Sequence, residues 1–263
     1  MHIEVLEVVV NDGKRNKGVL VLPPGEGPFP GVVALHGGMG EWPEHDLKHY
    51  AIHLAGSLFP KHGYATLTAD YRHPSLGLGD VQDIIAAYKT LCAHPKVDGK
   101  RVAVFGTSHG GIITLWASMQ IRPKCIAVES CQTDVAGGYR ILEDRVREHG
   151  EPLSNYLKTD LALWTEFAER MGGTPEEAPE AYAKASPCTR AAAIQSPLLI
   201  LQGTDTNIPQ ATKMHEAMLE AGRHCELKMY DDAPHAFLEH MRDIPATIEA
   251  QRDLFEFLDR YLK

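Results

Sequence analysis

Val102-Ala103-Val104-Phe105-Gly106-Thr107-Ser108-His109-Gly110-Gly111 runs from a short apolar stretch through a turn of small residues into the helical pattern Gly110 to Met119. A stretch apolar on both faces predicts a strand buried in a parallel sheet. Gly106 to Gly110 fits G-x-S-x-G, in which a strand ends in a sharp turn that lifts a serine hydroxyl above the sheet before a helix begins. Small flanking residues make so tight a turn possible. As a bare pattern it arises by accident about once in ten chains of this length. Its place, after a buried strand and before a helix, gives it weight. Ser108 is therefore the candidate nucleophile, against the plainer reading of an ordinary tight turn.

Outward from this segment the same alternation repeats. Gly31 to Leu35, Ala65 to Ala69, Cys125 to Val128 and Leu198 to Leu201 are short apolar runs bounded by Gly, Pro or charged residues. Helical patterns at Leu47–Phe59, Val81–Leu91, Ala211–Leu219 and Ala246–Tyr261 lie between or after them. Strand and helix in alternation predict a doubly wound α/β sheet, mostly parallel. Ile3 to Val10 and Gly18 to Leu22, joined by Asn11-Asp12-Gly13, predict an antiparallel hairpin at its start. The 64 residues from Thr133 to Ser196 show helical patterns without a strand and read as an inserted helical cap. Within it Tyr156, Leu157, Leu161, Trp164, Phe167 and Met171 have helical spacing, ended by Gly172-Gly173. Residues 1–263 are expected to form a single domain, with residues 133–196 inserted in it.

Composition agrees with a folded enzyme-sized domain. The chain is 44% hydrophobic and 23% charged, which excludes disorder and a small disulfide scaffold. A net charge of −9 without clustered Lys and Arg argues against nucleic-acid partners. The stretch from Val102 to Ile121 carries no Lys, Arg, Asp or Glu, but the polar turn inside it speaks against a membrane span. Acidic residues interrupt the apolar ones in Met1 to Glu7, unlike a signal peptide. Five cysteines without C-x-x-C spacing support neither a disulfide framework nor a zinc ribbon, and Cys131 and Cys188 read as packing residues. The expectation is a cytoplasmic protein.

A serine hydroxyl needs a general base within hydrogen-bond reach and a carboxylate to orient that base. In a sheet of this kind the order along the chain is Ser, acid, His. Asp205 follows the Leu198–Leu201 strand directly, at the carboxyl edge where open α/β sheets bind ligands. His235, in Ala233-Pro234-His235-Ala236-Phe237, follows a strand at Cys225–Tyr230 and reaches that edge. Glu129 and Asp232 are alternative acids, and His224 and His240 alternative bases. For the oxyanion, the candidate donors are the backbone N–H of His109 and one from the loop His36-Gly37-Gly38-Met39-Gly40, with Gly38 ahead of Met39. Asp80 and Asp83 are expected to serve the positive end of their helix.

These blocks, together with Ala69-Asp70-Tyr71-Arg72 and Gly79-Asp80-Val81-Gln82-Asp83, resemble the α/β-hydrolase superfamily. Within it the chain is similar to the dienelactone hydrolase group and to the catalytic domain of prolyl oligopeptidase-like serine peptidases. The resemblance covers nearly the whole chain. It implies the α/β-hydrolase fold and a triad of Ser108, Asp205 and His235. Dienelactone hydrolases use Cys as nucleophile where Ser108 stands. Prolyl oligopeptidases place an oxyanion-stabilising tyrosine where His36 stands and carry a large propeller domain. Both departures point to a stand-alone esterase.

His45, His49 and His53 recur at every fourth residue and would form one stripe on a helix. They share their segment with Asp46 and Lys48, and a solvated face is the plainer reading; His45 or His49 could also line the site. No metal and no cofactor is expected. Tyr139, Trp164 and Phe167 are candidate walls of a substrate pocket, against the plainer reading of a buried helix face. The expected activity is hydrolysis of carboxylic esters of small to medium size. Two rivals stand beside it: a peptidase or amidase acting on short or acylated amino-terminal groups, and a non-catalytic ligand-binding protein. The expected partner is a small-molecule ester or short peptide-like substrate, with no nucleic acid, no membrane and a homodimer left open.

Overall fold

Strands β1 (His2–Val9) and β2 (Arg15–Leu22) pair antiparallel, as the hairpin pattern predicts, and β2 continues antiparallel onto β4 (Ala65–Ala69). Beyond it β3 (Phe29–Leu35), β5 (Val97–Thr107), β6 (Ile126–Glu129), β7 (Leu198–Gly203) and β8 (Cys225–Tyr230) run parallel with β4, in the order β1-β2-β4-β3-β5-β6-β7-β8. The computed structural model describes residues 1–38, 42–72, 79–205 and 208–263, apart from the side chains of residues 79, 155, 156, 159 and 208.

Strands β4, β6 and β7 are buried along their whole length, and β3 and β5 from Pro30 and Val102 onward, because helices cover both faces of the sheet. Successive side chains of a strand point to opposite faces. Val33, Leu35, Val104, Val128 and Ile200 pack on one side in a cluster with Ile84, Leu115 and Met214. Those residues come from α3 (Gly79–Ala93), α4 (His109–Ser118) and α8 (Ile208–Glu220). Val32, Ala34, Phe105, Ala127 and Leu199 pack on the other, with Tyr50 of α1 (Glu44–His53) and Leu254, Phe257 and Leu258 of α9 (Pro245–Leu262). Burial of each large apolar side chain contributes about 1.5–3 kcal/mol relative to exposure.

The helix expected over Leu47–Phe59 is broken. Helix α1 stops at His53, Leu54 is extended, and a 3₁₀ turn (Ala55–Ser57) leads into α2 (Leu58–Lys61). Ala55 donates instead to the Glu239 carbonyl, so tertiary contact ends the helix where its periodicity would have continued.

Between β6 and β7 the chain forms α5 (Val135–His149), α6 (Asn155–Met171), α7 (Pro179–Ala185) and a 3₁₀ segment (Pro187–Ala193), with no strand among the described residues. Asp134 caps α5 by accepting the Gly137 N–H, and Ser154 caps α6 by accepting that of Leu157. Gly172 ends α6 in the left-handed conformation, φ 89°.

Asp83 does not serve the end of α3. It is fully buried and held by the Arg72 guanidinium through Nε (2.9 Å) and Nη2 (2.8 Å), while Arg72 Nη1 reaches Asp12 in the β1–β2 turn. Asp80 accepts the Val81 N–H in the first turn of α3. All five cysteines are free. No described helix is long and apolar enough to cross a membrane.

Strand β3 lies between β4 and β5, so the chain leaves it to one side and returns on the other. The crevice at such a reversal, above the carboxyl ends of the strands, is where open α/β sheets bind ligands. His36 follows β3 there and Ser108 follows β5.

Candidate active site

At the end of β5 the backbone turns abruptly at Ser108, with φ 52° and ψ −116°, before α4 starts at His109. This conformation is costly for a residue with a side chain and persists only where the surroundings impose it. They do so by crowding. A Cβ at Gly106 would lie 2.2 Å from the Gly110 carbonyl, and one at Gly110 would lie 2.4 Å from the His36 carbonyl. The Ser108 N–H donates to the Glu129 carbonyl at 2.9 Å, which ties the turn to the end of β6.

His235 Nε2 stands 3.0 Å from Ser108 Oγ. The loop that carries it is pinned on both sides. Ala233 and Ala236 are buried beside it, and the next residues donate to Glu129: Leu238 N–H to Oε1 at 2.7 Å and Glu239 N–H to Oε2 at 3.1 Å. Burial lowers the pKa of the imidazole from its usual value, and His240 and Arg145 push it the same way. A lowered pKa keeps the ring neutral near pH 7, the form able to accept a proton.

Asp205 follows β7 at the same edge, and its N–H reaches the Ala233 carbonyl at 3.4 Å, two residues before His235. Its side chain is exposed and makes no hydrogen bond to His235 among the described residues. Among the described residues neither alternative acid hydrogen-bonds to the imidazole. Glu129 is turned inward onto Thr107, Leu238 and Glu239, and Asp232 contacts Thr204 through its backbone N–H. The structure thus brings Ser108 and His235 together, with Asp205 exposed on the turn after β7 at the same edge.

The loop after β3 lies against the turn at Ser108. Gly38 has φ 78°, its surface is exposed, and its N–H has no partner among the described residues. His109, as the first residue of α4, has no intrahelical acceptor for its N–H. Met39 lies outside the described residues. His36 is buried and stacked between Trp42 and Tyr71, with ring centroids 3.7 and 4.5 Å away. Burial pushes its pKa down to about 4, so it is neutral. The Tyr71 hydroxyl donates to the His36 carbonyl at 2.8 Å, which fixes the start of the loop.

Tyr139, Trp164 and Phe167 pack in one cluster of rings on α5 and α6. Tyr139 and Trp164 are edge to face at 5.9 Å, and Trp164 and Phe167 are 5.2 Å apart, over buried Val135 and Tyr182. Tyr139 and Trp164 also line an open groove of about 430 Å³ between α5 and α6. On α1 the rings of His49 and His53 are 5.2 Å apart, and no group of three or more ligating side chains is assembled among the described residues.

Two residues of this assembly are not among the site candidates that the motifs single out. Glu239 and Tyr71 are both buried, the first receiving the Gly37 N–H and the second holding the His36 carbonyl. The hint for Glu239 is a carboxylate closing the run Ala236-Phe237-Leu238.

A family model described as an alpha/beta hydrolase fold matches residues 32–239. The uncharacterized peptidase YtmA of Bacillus subtilis (strain 168) is 25% identical over 249 residues, covering 90% of this chain and 88% of that protein. The acylaminoacyl peptidase of Pyrococcus horikoshii superimposes with a TM-score of 0.75 at 21% identity, over 100% of this chain and 42% of that one. EstE1, a thermostable carboxylesterase from a metagenomic library, superimposes with a TM-score of 0.74 at 18% identity, over 100% and 90%. At these identities the two structures share the fold. Against several other curated relatives the chain spans about a quarter to a third of their length.

Proposed function

This chain belongs to the α/β hydrolase fold family, and on that footing we propose that it is a serine hydrolase cleaving carboxylic esters of small to medium size through an acyl-enzyme intermediate. The observation that carries the reading is the 3.0 Å approach of His235 Nε2 to Ser108 Oγ at a strained strand-to-helix turn. His235 takes the hydroxyl proton as Ser108 Oγ attacks the ester carbonyl. The developing oxyanion is received by the N–H groups of His109 and Gly38, which point at charge that exists only after attack. His235 returns the proton to the leaving alcohol, and water then releases the acyl group by the same steps in reverse. Asp205 is the proposed orienting acid, supported by its place on the turn after β7 beside the His235 loop. The helices between β6 and β7 are proposed to form the cap that shapes the substrate pocket, with the protein acting in the cytoplasm on small ester or peptide-like substrates.

Initial rates on p-nitrophenyl esters of rising acyl length and on acyl-aminoacyl p-nitroanilides, for wild type and Ser108→Ala, test this reading. Ester turnover that Ser108→Ala abolishes supports it, and the chain-length profile sizes the pocket. A mutant that matches wild type overturns it. A second reading, a peptidase or amidase releasing short or acylated amino-terminal groups, is favoured by YtmA, which aligns over most of both chains and is named a peptidase. Turnover of the anilides alone selects it. A Ser108 inert to a fluorophosphonate probe selects a ligand-binding protein instead.

A further inference from the structure

Glu239 is a carboxylate in an apolar place. It closes the run Ala236-Phe237-Leu238-Glu239, is 3% exposed, and sits four residues after His235. Its Oε1 accepts the Gly37 N–H at 2.7 Å, and a Cβ on Gly37 would meet Glu239 Oε2 at 2.7 Å and Ser108 Cβ at 3.2 Å. Gly37 is therefore clasped between Glu239 and the nucleophile. Glu239 is itself held, because its N–H donates to Glu129, whose carboxylate also receives the Leu238 N–H and the Thr107 hydroxyl. Two buried carboxylates thus connect the strand end before Ser108, the segment after His235 and the loop after β3.

The consequence falls on the next peptide. The Gly37 carbonyl lies 2.8 Å from His36 Nδ1, and since a carbonyl can only accept, the neutral imidazole carries its proton there. In a trans peptide the N–H points opposite to the C=O. With the Gly37 carbonyl turned onto His36, the Gly38 N–H is directed away from that ring. Holding the N–H of Gly37 at one end and its carbonyl at the other therefore sets the direction of the Gly38 donor.

We propose that Glu239 is a positioning residue for acyl transfer, holding Gly37 against Ser108 and thereby aiming the Gly38 N–H at the oxyanion. The role rests on the serine hydrolase reading above. Burial, reinforced by Glu129, pushes the Glu239 carboxyl up to about 8, so near neutral pH it is largely the uncharged acid, which glutamine resembles closely. A hydrogen-bond role and a packing role then predict different variants. Glu239→Gln keeps an acceptor for Gly37, Glu239→Met keeps the volume without one, and Glu239→Asp withdraws the carboxyl by one methylene.

The test is kcat and KM for p-nitrophenyl butyrate in wild type, these three variants and Ser108→Ala, with the thermal midpoint of each. Loss of an oxyanion donor costs about 10²–10³ in kcat, and misaiming one is expected to cost about tenfold or more in Glu239→Met, with KM changed less than about threefold. Glu239→Asp carries the same expected loss should the Met variant not fold, and Glu239→Gln is expected within about threefold of wild type. A Met or Asp variant with wild-type kcat, or a Gln variant that loses as much as they do, overturns the proposal. Turnover that survives Ser108→Ala, or none in wild type, overturns the serine esterase reading and this role with it. A Ser108-dependent activity indifferent to Glu239 overturns the positioning role alone.

Discussion

Across 127 positions of sequence, the imidazole Nε2 of His235 stands 3.0 Å from the hydroxyl of Ser108. The two residues are carried by the ends of different strands, β8 and β5, and only the parallel register through β6 and β7 brings those ends to one edge. Removal of either partner is expected to lower kcat/KM for a p-nitrophenyl ester by about 10⁴-fold or more, the scale at which members of a catalytic unit act together. The double variant is expected to lose no more than either single one. Losses that multiply would show that the two act independently.

The pH dependence follows from the direction of the His235 shift. Its pKa is lowered first by burial and then by His240 and Arg145. In the proposed mechanism the neutral ring is the base, so kcat/KM is expected to rise as pH passes upward through that pKa and to fall below it. The acid limb is expected to have its midpoint below the ordinary imidazole value of about 6.5. A midpoint at or above that value in a pH–rate profile would refute the assignment.

The orienting acid is decided by comparing Asp205→Asn, Asp232→Asn and Glu129→Gln, since none of the three carboxylates bonds to His235 among the described residues. Asp205→Asn is expected to lower kcat by about 10²-fold or more with little change in thermal midpoint. Glu129→Gln is expected to act on stability, because Glu129 receives three hydrogen bonds in a buried place. The opposite ranking in a kinetic and calorimetric comparison would move the role to Glu129.

Arg72 and Asp83 form a two-pronged pair with the carboxylate fully buried. Arg72→Met strands that charge and is expected to cost about 3 kcal/mol, the usual consequence of removing one partner of a buried pair. Urea unfolding monitored by circular dichroism measures it, and a cost below about 1 kcal/mol would mean that water replaces the guanidinium.

Gly106→Ala sets a methyl 2.2 Å from the Gly110 carbonyl under the Ser108 turn. Overpacking of this kind is expected to cost about 1–3 kcal/mol or more and to displace the Ser108 hydroxyl. Loss of fluorophosphonate labelling in a folded variant is the expected result, and unchanged labelling would show that the turn tolerates a side chain.

The alternation of apolar runs and helical patterns, the turn at Gly106–Gly110 and the order Ser108 then His235 were determined by the sequence alone. They rest on local rules: a strand covered on both faces is apolar at every position, a helix has one apolar stripe, and a tight turn needs small neighbours. The end of α1 at His53, the pairing of Arg72 with Asp83, the mutual packing of Tyr139, Trp164 and Phe167, and the hold of Glu239 on Gly37 were decided only by the tertiary structure. Glu239 and Gly37 are 202 positions apart, and nothing near either one marks the other. A carboxylate in sequence reads as a solvated surface group, and it becomes a buried acceptor only when the register of β3, β5 and β6 closes over it and leaves one backbone N–H within reach.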